Sequence, residues 1–409
     1  MSRESFLEKN KNVLNERDYK LVEGATQVLL KNIAPNGDGV LWNPYRAITP
    51  SFHVWEGSTK PCFAGIWNWD SAFHMMGVSR FDKELAHEQM KAFFLFQKDD
   101  GMLPDVITHP LDGSVKILDK YSKPPVWAWA LENTDRRQPD DDFLKEMYPK
   151  LVKNESFWTT QRYNEKDGLF FYSTSITDVD PETGIDRYMA ICYESGLDDS
   201  VRFDDGVLEF LYPIDLNSFM VSFYKSMQYL ALRLYLADDA QKWYEKGKEL
   251  CSRIQKTLWS EEDGCFFDWN FKKKDFNRII TPAIFMPLWA GAATPKQAAA
   301  VERFAKDPKK LYPYMPSVSF DHPKFDPTEY VAGAVWINVA YFAVKGLYDY
   351  GFRKTSMDIR NALLELIDKT YQKYNFFCES YNPLTQIGKG AVDFSWTCVF
   401  AMEMIFEMK

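Results

Sequence analysis

Apolar residues spaced three and four apart recur along most of this chain, and they constrain its fold more than any other feature. The segment FLKEMYPKLVKNESFWTTQRY, residues 143–163, is the clearest case. The same spacing predicts helices over 216–236 and 243–259, and further ones over 72–78, 84–96, 126–131, 296–305, 330–350, 354–374 and 394–406. Alternating, strand-like patterns are scarce and short. No Pro/Gly/Ser linker or low-complexity block divides the sequence, so residues 1–409 read as one domain, long enough to bury a sizeable core. A weak internal repeat sharpens the picture. FWTTQRYNEKDGLFF (157–171) resembles LWSEEDGCFF (258–267), QKDDGMLPD (97–105) carries the same Asp-Gly turn, and YQKYNFFCESYNP (371–383) keeps the aromatics without it. Glycine suits the left-handed residue just past a helix, with the following aromatics briefly extended. Helix pairs punctuated by equivalent loops point to an all-α toroid of helical hairpins, an (α/α)6 barrel of about twelve helices. The competing reading is an irregular all-α fold with common helix caps.

Charge and motif content remove several function classes. The formal net charge is −9 with no basic stripe, which argues against nucleic acid and anionic membrane as partners. The N-terminal residues are charged and no run of about 18 apolar residues occurs, so a soluble cytoplasmic protein is expected. Six cysteines (62, 192, 251, 265, 378, 398) show no CxxC spacing and read as reduced. Five histidines (53, 74, 87, 109, 322) show no HxH or HExxH spacing. ITDVDPETGID (176–186) is acidic, but its glycine is misplaced for an EF-hand, so no metal is expected. No Gly-rich phosphate loop and no Gly-x-Ser-x-Gly elbow appears, leaving nucleotide and acyl chemistry, and any cofactor, without a foothold.

Aromatic content is high, at 16% with 13 Trp, 22 Tyr and 31 Phe, which suits a ring-lined pocket. Three clusters join aromatic residues to carboxylate. In FAGIWNWDSAFHMMG (63–77), Trp67 and Trp69 precede Asp70, a reasonable N-cap for the helix that follows. Such rings can stack on a pyranose while a carboxylate accepts from its hydroxyls. YESGLDDSVRF (193–203) sets Glu194, Asp198, Asp199 and Arg202 around a Ser-Gly pair. In FFCESYNPLTQIGKGAVDFSWT (376–397), Glu379 lies among aromatics ahead of a Gly-rich turn. A carboxyl in apolar surroundings has its pKa raised, which suits a general acid or a shielded base. Two separated carboxyls are the minimum apparatus of most glycosidases.

WNWDSAF, DGMLPDVI, ESGLDDSVRF, GAVWINVAYFAVKGLYDYG, CESYNPLTQIGKG and FSWT follow one another in that order from about residue 60 to 400. This ordered set resembles glycoside hydrolase family 63 and its cousins the trehalases. The resemblance implies an inverting α-glycosidase on an (α/α)6 barrel. It places the general acid on Asp198 and the base that activates water on Glu379, about 6.5–9.5 Å apart to leave room for the water. It implies sugar contacts at Trp67, Trp69, Asp70 and Trp336, with Glu194 and Trp396 as wall residues. Gly196 would permit a tight backbone, and Glu194 and Arg202 would brace the loop or contact sugar. Asp199 departs from relatives that carry an amide or aromatic there, and would either raise the pKa of Asp198 or face solvent. Ala334 stands where relatives often have proline, and Gln386 where they often have glycine.

The leading reading is an exo-acting α-glucosidase on small soluble glycosides. Its alternative is a mannosylglycerate or glucosylglycerate hydrolase. A sugar 2-epimerase shares the toroid, but resembles enzymes that rely on paired histidines, and histidine is sparse. A non-catalytic sugar-binding protein would keep the tryptophans without needing both carboxylates.

Overall fold

The computed structural model describes residues 1–34, 40–52, 63–108 and 116–409, so His53, Cys62 and His109 lie outside the described residues. The chain opens with helices α1 (Arg3–Asn10) and α2 (Glu16–Lys31). Then come α3 (Asn68–Val78), α4 (Lys83–Phe94), α5 (Trp127–Arg137), α6 (Asp141–Gln161) and the short α7 (Arg187–Ser195). A long antiparallel pair follows, α8 (Ile214–Arg233) and α9 (Ala237–Thr257). Last are the single turn α10 (Met286–Trp289), α11 (Pro295–Glu302), α12 (Ile337–Asp349), α13 (Arg353–Tyr374) and α14 (Ser395–Glu407).

Packing among the described residues closes these helices into a ring. Helix α3 packs on α5, α5 on α8, α8 on α10, α10 on α12, α12 on α14, and α14 back on α3. A second layer covers that ring: α2 lies on α14, α4 on α3, α6 on α8, α9 on α8 and α13 on α12. This is the (α/α)6 barrel. Every residue of α3 is buried, as is α14 from Ser395 to Ile405. One hydrophobic core joins buried residues from Phe6 to Met408, and a small second cluster of Tyr121, Ile176 and Ala190 lies apart from it. No helix of the described residues is long and apolar enough to cross a membrane.

Helices α1, α2, α4, α6, α7 and α11 start at a polar side-chain cap. Asp140 accepts from the Phe143 amide at 3.0 Å, so α6 begins with two further aspartates in its first turn. Asp70 is not the N-cap of α3. That helix starts at Asn68, with Trp67 as N-cap and Asp70 in its first turn. Nor does a helix span 330–350. Residues 330–336 lie outside regular structure and the helix begins at Ile337, because Val335 pairs as an isolated bridge with Tyr381. The apolar spacing of Tyr330, Val331 and Val335 mimics a helical face that the chain does not form. The apolar spacing does not predict helices α1, α2, α7 and α10.

Two of the three Asp-Gly segments form β-hairpins, while QKDDGMLPD (97–105) turns without strands. Tyr163–Asn164 pairs with Leu169–Phe170, and Trp259–Ser260 with Cys265–Phe266. Cys378–Asn382 pairs with Ile387–Val392 in the same way. In the first, the Gly168 amide donates to the Asn164 carbonyl at 2.7 Å with φ +69°. In the third, the Gln386 amide donates to the Asn382 carbonyl at 2.8 Å with φ +58°. Gln386 therefore occupies the position that Gly168 and Gly264 fill elsewhere, which explains why glycine suits it. A side chain at a left-handed residue costs about 1–2 kcal/mol. We expect Gln386→Gly to raise unfolding stability by up to about 1 kcal/mol, measured as a higher denaturation midpoint with activity unchanged.

Candidate active site

One rim of the barrel carries a cavity of about 400 Å³. Trp67, Trp69 and Asp70 enter it from the start of α3, and Trp336 from the residue before α12. Trp396 comes from the first turn of α14, Gly196 and Asp198 from the segment after α7, and Glu379 from the hairpin that precedes α14. Two carboxyls separated by 181 positions thus line one space, walled by indoles of which Trp396 packs on both Trp69 and Trp336. Trp396 meets Trp69 at 6.1 Å and Trp336 at 5.5 Å, both edge to face. Small strands buttress this wall. Gly65–Trp67 pairs antiparallel with Val106–Thr108, and the Asn68 side chain accepts from the Trp127 indole at 2.8 Å while donating to the Pro104 carbonyl at 2.9 Å.

Gly196 ends α7 in the left-handed conformation, φ +72°. A Cβ there would fall 2.6 Å from the Trp69 ring, so only glycine lets that indole approach the loop this closely. A Cβ at Gly390 would likewise fall 2.4 Å from the Glu379 carboxylate, which is why a Gly-rich strand follows the glutamate.

The carboxyls sit in different environments. Glu379 is buried, and burial raises its pKa. The Tyr330 hydroxyl, donating to Oε1 at 2.7 Å, and the Ala391 amide, donating to Oε2 at 3.0 Å, pull it back, while the charge of Asp198 raises it. Asp198 is more open, its side chain 31% exposed, with the Lys123 ammonium 4.0 Å from Oδ1. That ammonium is itself buried, 3.4 Å from Asp105, and it donates to the Tyr193 carbonyl. Burial lowers the pKa of Lys123, but Asp105 and Asp198 more than offset this and leave it raised. Burial pushes Asp70 up to about 8 and Asp105 up to about 7, with Lys123 opposing each. Among the described residues Asp70 Oδ1 has no hydrogen-bond partner, which leaves it available to a hydroxyl-bearing ligand.

Glu194 does not line the cavity, which corrects its assignment as a wall or sugar-contacting residue. It is fully buried beneath the loop, where it accepts from Arg162 (2.9 Å), the Ser122 amide (3.0 Å) and the Ser173 amide (2.7 Å). Arg202 is also buried, 3.1 Å from Asp215 and 2.7 Å from Asp268. Both charges therefore brace the segment that displays Asp198, and neither reaches the cavity. Asp199 accepts from the Val331 amide at 3.1 Å. In the acidic stretch 176–186, Asp180 accepts from the Thr183 hydroxyl and Asp186 caps α7, so these two carboxylates serve a turn and a helix start. No group of three or more His, Cys, Asp or Glu among the described residues is arranged to hold a metal ion.

Sequence reading missed Asp105, Lys123, Tyr193 and Tyr330, all of which line the cavity. Asp105 lay within DGMLPDVI and could have been singled out as the charged member of that motif. Lys123 sits in a Ser-Lys-Pro-Pro loop with no periodic or motif signal.

Residues 64–397 match the family of the Mannosylglycerate hydrolase MGH1-like glycoside hydrolase domain. The chain belongs to that glycoside hydrolase family. Among its relatives, the mannosylglycerate hydrolase of Thermus thermophilus is 25% identical over 402 residues, covering 82% of this chain and 93% of the relative. Mannosylglycerate hydrolase MGH1 of Selaginella moellendorffii is 24% identical, covering 83% of this chain and 80% of the relative. The crystal structure of the GH63 mannosylglycerate hydrolase from Thermus thermophilus in complex with Tris and D-glycerate superposes with a TM-score of 0.74 at 22% identity, over 93% of this chain and 99% of that one. Neutral trehalase from Saccharomyces cerevisiae shares the fold at a TM-score of 0.67 and 19% identity, over 84% of this chain and 72% of that one. The protein is a glycoside hydrolase of the GH63 type.

Removing one partner of a buried ion pair leaves the other charge uncompensated, at about 3–5 kcal/mol. We expect Glu194→Ala to lose stability on that scale, with a large fall in the thermal midpoint, because Arg162 is left buried. An unchanged midpoint combined with a raised KM would instead make Glu194 a substrate contact.

Proposed function

We propose that this chain is an inverting, exo-acting α-glycoside hydrolase, formed by a single barrel domain, that acts on small soluble glycosides. The observation that carries this reading is the convergence of Asp198 and Glu379 on one tryptophan-walled cavity. In this scheme a terminal sugar enters with its apolar face against the indoles, and Asp70 binds its hydroxyls. Asp198, reachable from solvent, gives a proton to the leaving oxygen. Glu379, shielded and held by two donors, takes a proton from the water that attacks the anomeric carbon on the opposite face. Inversion follows from a single displacement. Trp67, Trp69, Trp336 and Trp396 hold the ring, and Gly196 keeps the loop close to Trp69. No cofactor, metal, nucleic acid or membrane enters the scheme, whose setting we take to be the cytoplasm.

Two substrate classes compete. Among the described lining residues, Asp70, Asp105, Asp198 and Glu379 face a single ammonium, Lys123, which is already shared between Asp105 and Asp198. With no uncommitted cation among the described lining residues to meet a carboxylate, a neutral aglycone is favoured, as the α-glucosidase reading requires. The relatives named mannosylglycerate hydrolases favour the second reading, a mannosyl- or glucosylglycerate as substrate.

Rates on a panel of neutral α-glucosides and the two glycerate glycosides decide between them. We expect the highest kcat/KM on a neutral α-glucoside; preference for a glycerate glycoside would establish the second reading. On the best substrate, Asp198→Asn and Glu379→Gln should each lower kcat about 10²–10⁴-fold with the fold intact by circular dichroism. A wild-type rate in either variant would remove that residue from the mechanism.

A further inference from the structure

Residues 327–331 follow no regular secondary structure, yet their backbone is tied down on two sides. On the Glu379 side, the Lys389 ammonium donates to the carbonyls of Pro327, Thr328 and Glu329 at 2.9, 2.7 and 2.8 Å. On the Asp198 side, the Val331 amide donates to Asp199 Oδ1 at 3.1 Å. Between these ties, the Tyr330 hydroxyl donates to Glu379 Oε1 at 2.7 Å. The Trp336 indole donates back to the Tyr330 carbonyl at 2.9 Å, and its ring packs edge-on against Tyr330 at 4.6 Å.

We propose that residues 327–331 form a strap, clasped by Asp199 and Lys389, that holds the Tyr330 hydroxyl on Glu379, so that Tyr330 and Asp199 are positioning residues for the base. This rests on the reading of Glu379 as that base.

A carboxylate base must keep one lone pair aimed at water. A donor on each oxygen, Tyr330 on one and the Ala391 amide on the other, fixes the carboxylate plane and stops it rotating. Both donors also favour the charged form and so offset the burial that opposes it. Asp198, Asp70 and Lys389 are the charged groups facing Glu379, and they change in none of the variants below. Asp199 is next to Asp198 in sequence but works through the strap. What it supplies is an acceptor for one amide, which an asparagine also supplies.

The acid limb of kcat/KM against pH reports the base of the free enzyme. Loss of the Tyr330 donor makes Glu379 more basic, so that limb moves to higher pH. On the best neutral α-glucoside we expect Tyr330→Phe to move it up by about one pH unit and to lower kcat roughly tenfold. Asp199→Ala should move it in the same direction and add nothing in the double variant with Tyr330→Phe, because both act through one contact. Asp199→Asn should restore the limb. Hydrogen exchange at the Val331 amide reads the clasp without substrate: faster in Asp199→Ala, protected in Asp199→Asn. An unmoved acid limb in Asp199→Ala, additive shifts in the double variant, or an Asp199→Asn profile like that of Asp199→Ala would each overturn the strap. Glu379→Gln separates the two layers. If it is inactive while Asp199→Ala keeps the wild-type limb and Val331 exchange, only the strap fails; if it is fully active, the base assignment fails first.

Discussion

Closure of the inner ring governs everything else in this molecule. Helices packed on both sides and covered from outside must be apolar on nearly every face, as α3 and α14 are. The side chains that line the cavity therefore come from helix starts and connecting loops at the rim. Helices α3, α12 and α14 begin beside the same cavity, and the residues at their starts, Asp70, Trp336 and Trp396, are cavity residues. The positive ends of those helices favour negative charge nearby, though by far less than burial disfavours it at Asp70.

The segment 194–202 shows how the fold divides charge between structure and chemistry. Glu194 and Arg202 disappear into buried ion pairs with Arg162, Asp215 and Asp268. Such pairs gain little net stability after desolvation, but they fix geometry because leaving either member alone is so costly. With both ends of the segment pinned, Asp198 is presented to the cavity at a defined place and Asp199 is turned toward residue 331. Four neighbouring charges thus have three structural fates, and only one of them reaches the cavity.

Much of this was legible in the sequence where period and packing agree. The long amphipathic helices α6, α9 and α13 carry a polar face that makes their spacing visible, and their starts lie only one to six residues from expectation. Helix α3 was foreshortened because a helix buried on all sides has no polar face to reveal its period. The false helix at 330–336 has the opposite cause: apolar spacing without helical hydrogen bonding, overridden by the pairing of Val335 with Tyr381. The tryptophans and the two carboxyls of the site were found because they sit in motifs. Lys123 and Tyr330 were not, since a lone lysine and a lone tyrosine in loops gain meaning only from what the fold brings near them. The fate of Glu194 was hidden for the same reason, as Arg162 lies 32 positions away.

The central claim, one displacement managed by Asp198 and Glu379 across a single cavity, has a direct signature in the product. Proton NMR of the anomeric region during digestion of an α-glycoside shows which anomer forms before mutarotation mixes them. The β-anomer appearing first is the predicted result and establishes inversion. The α-anomer appearing first would mean that a covalent or otherwise retaining path operates, and the acid and base roles given to the two carboxyls would be wrong.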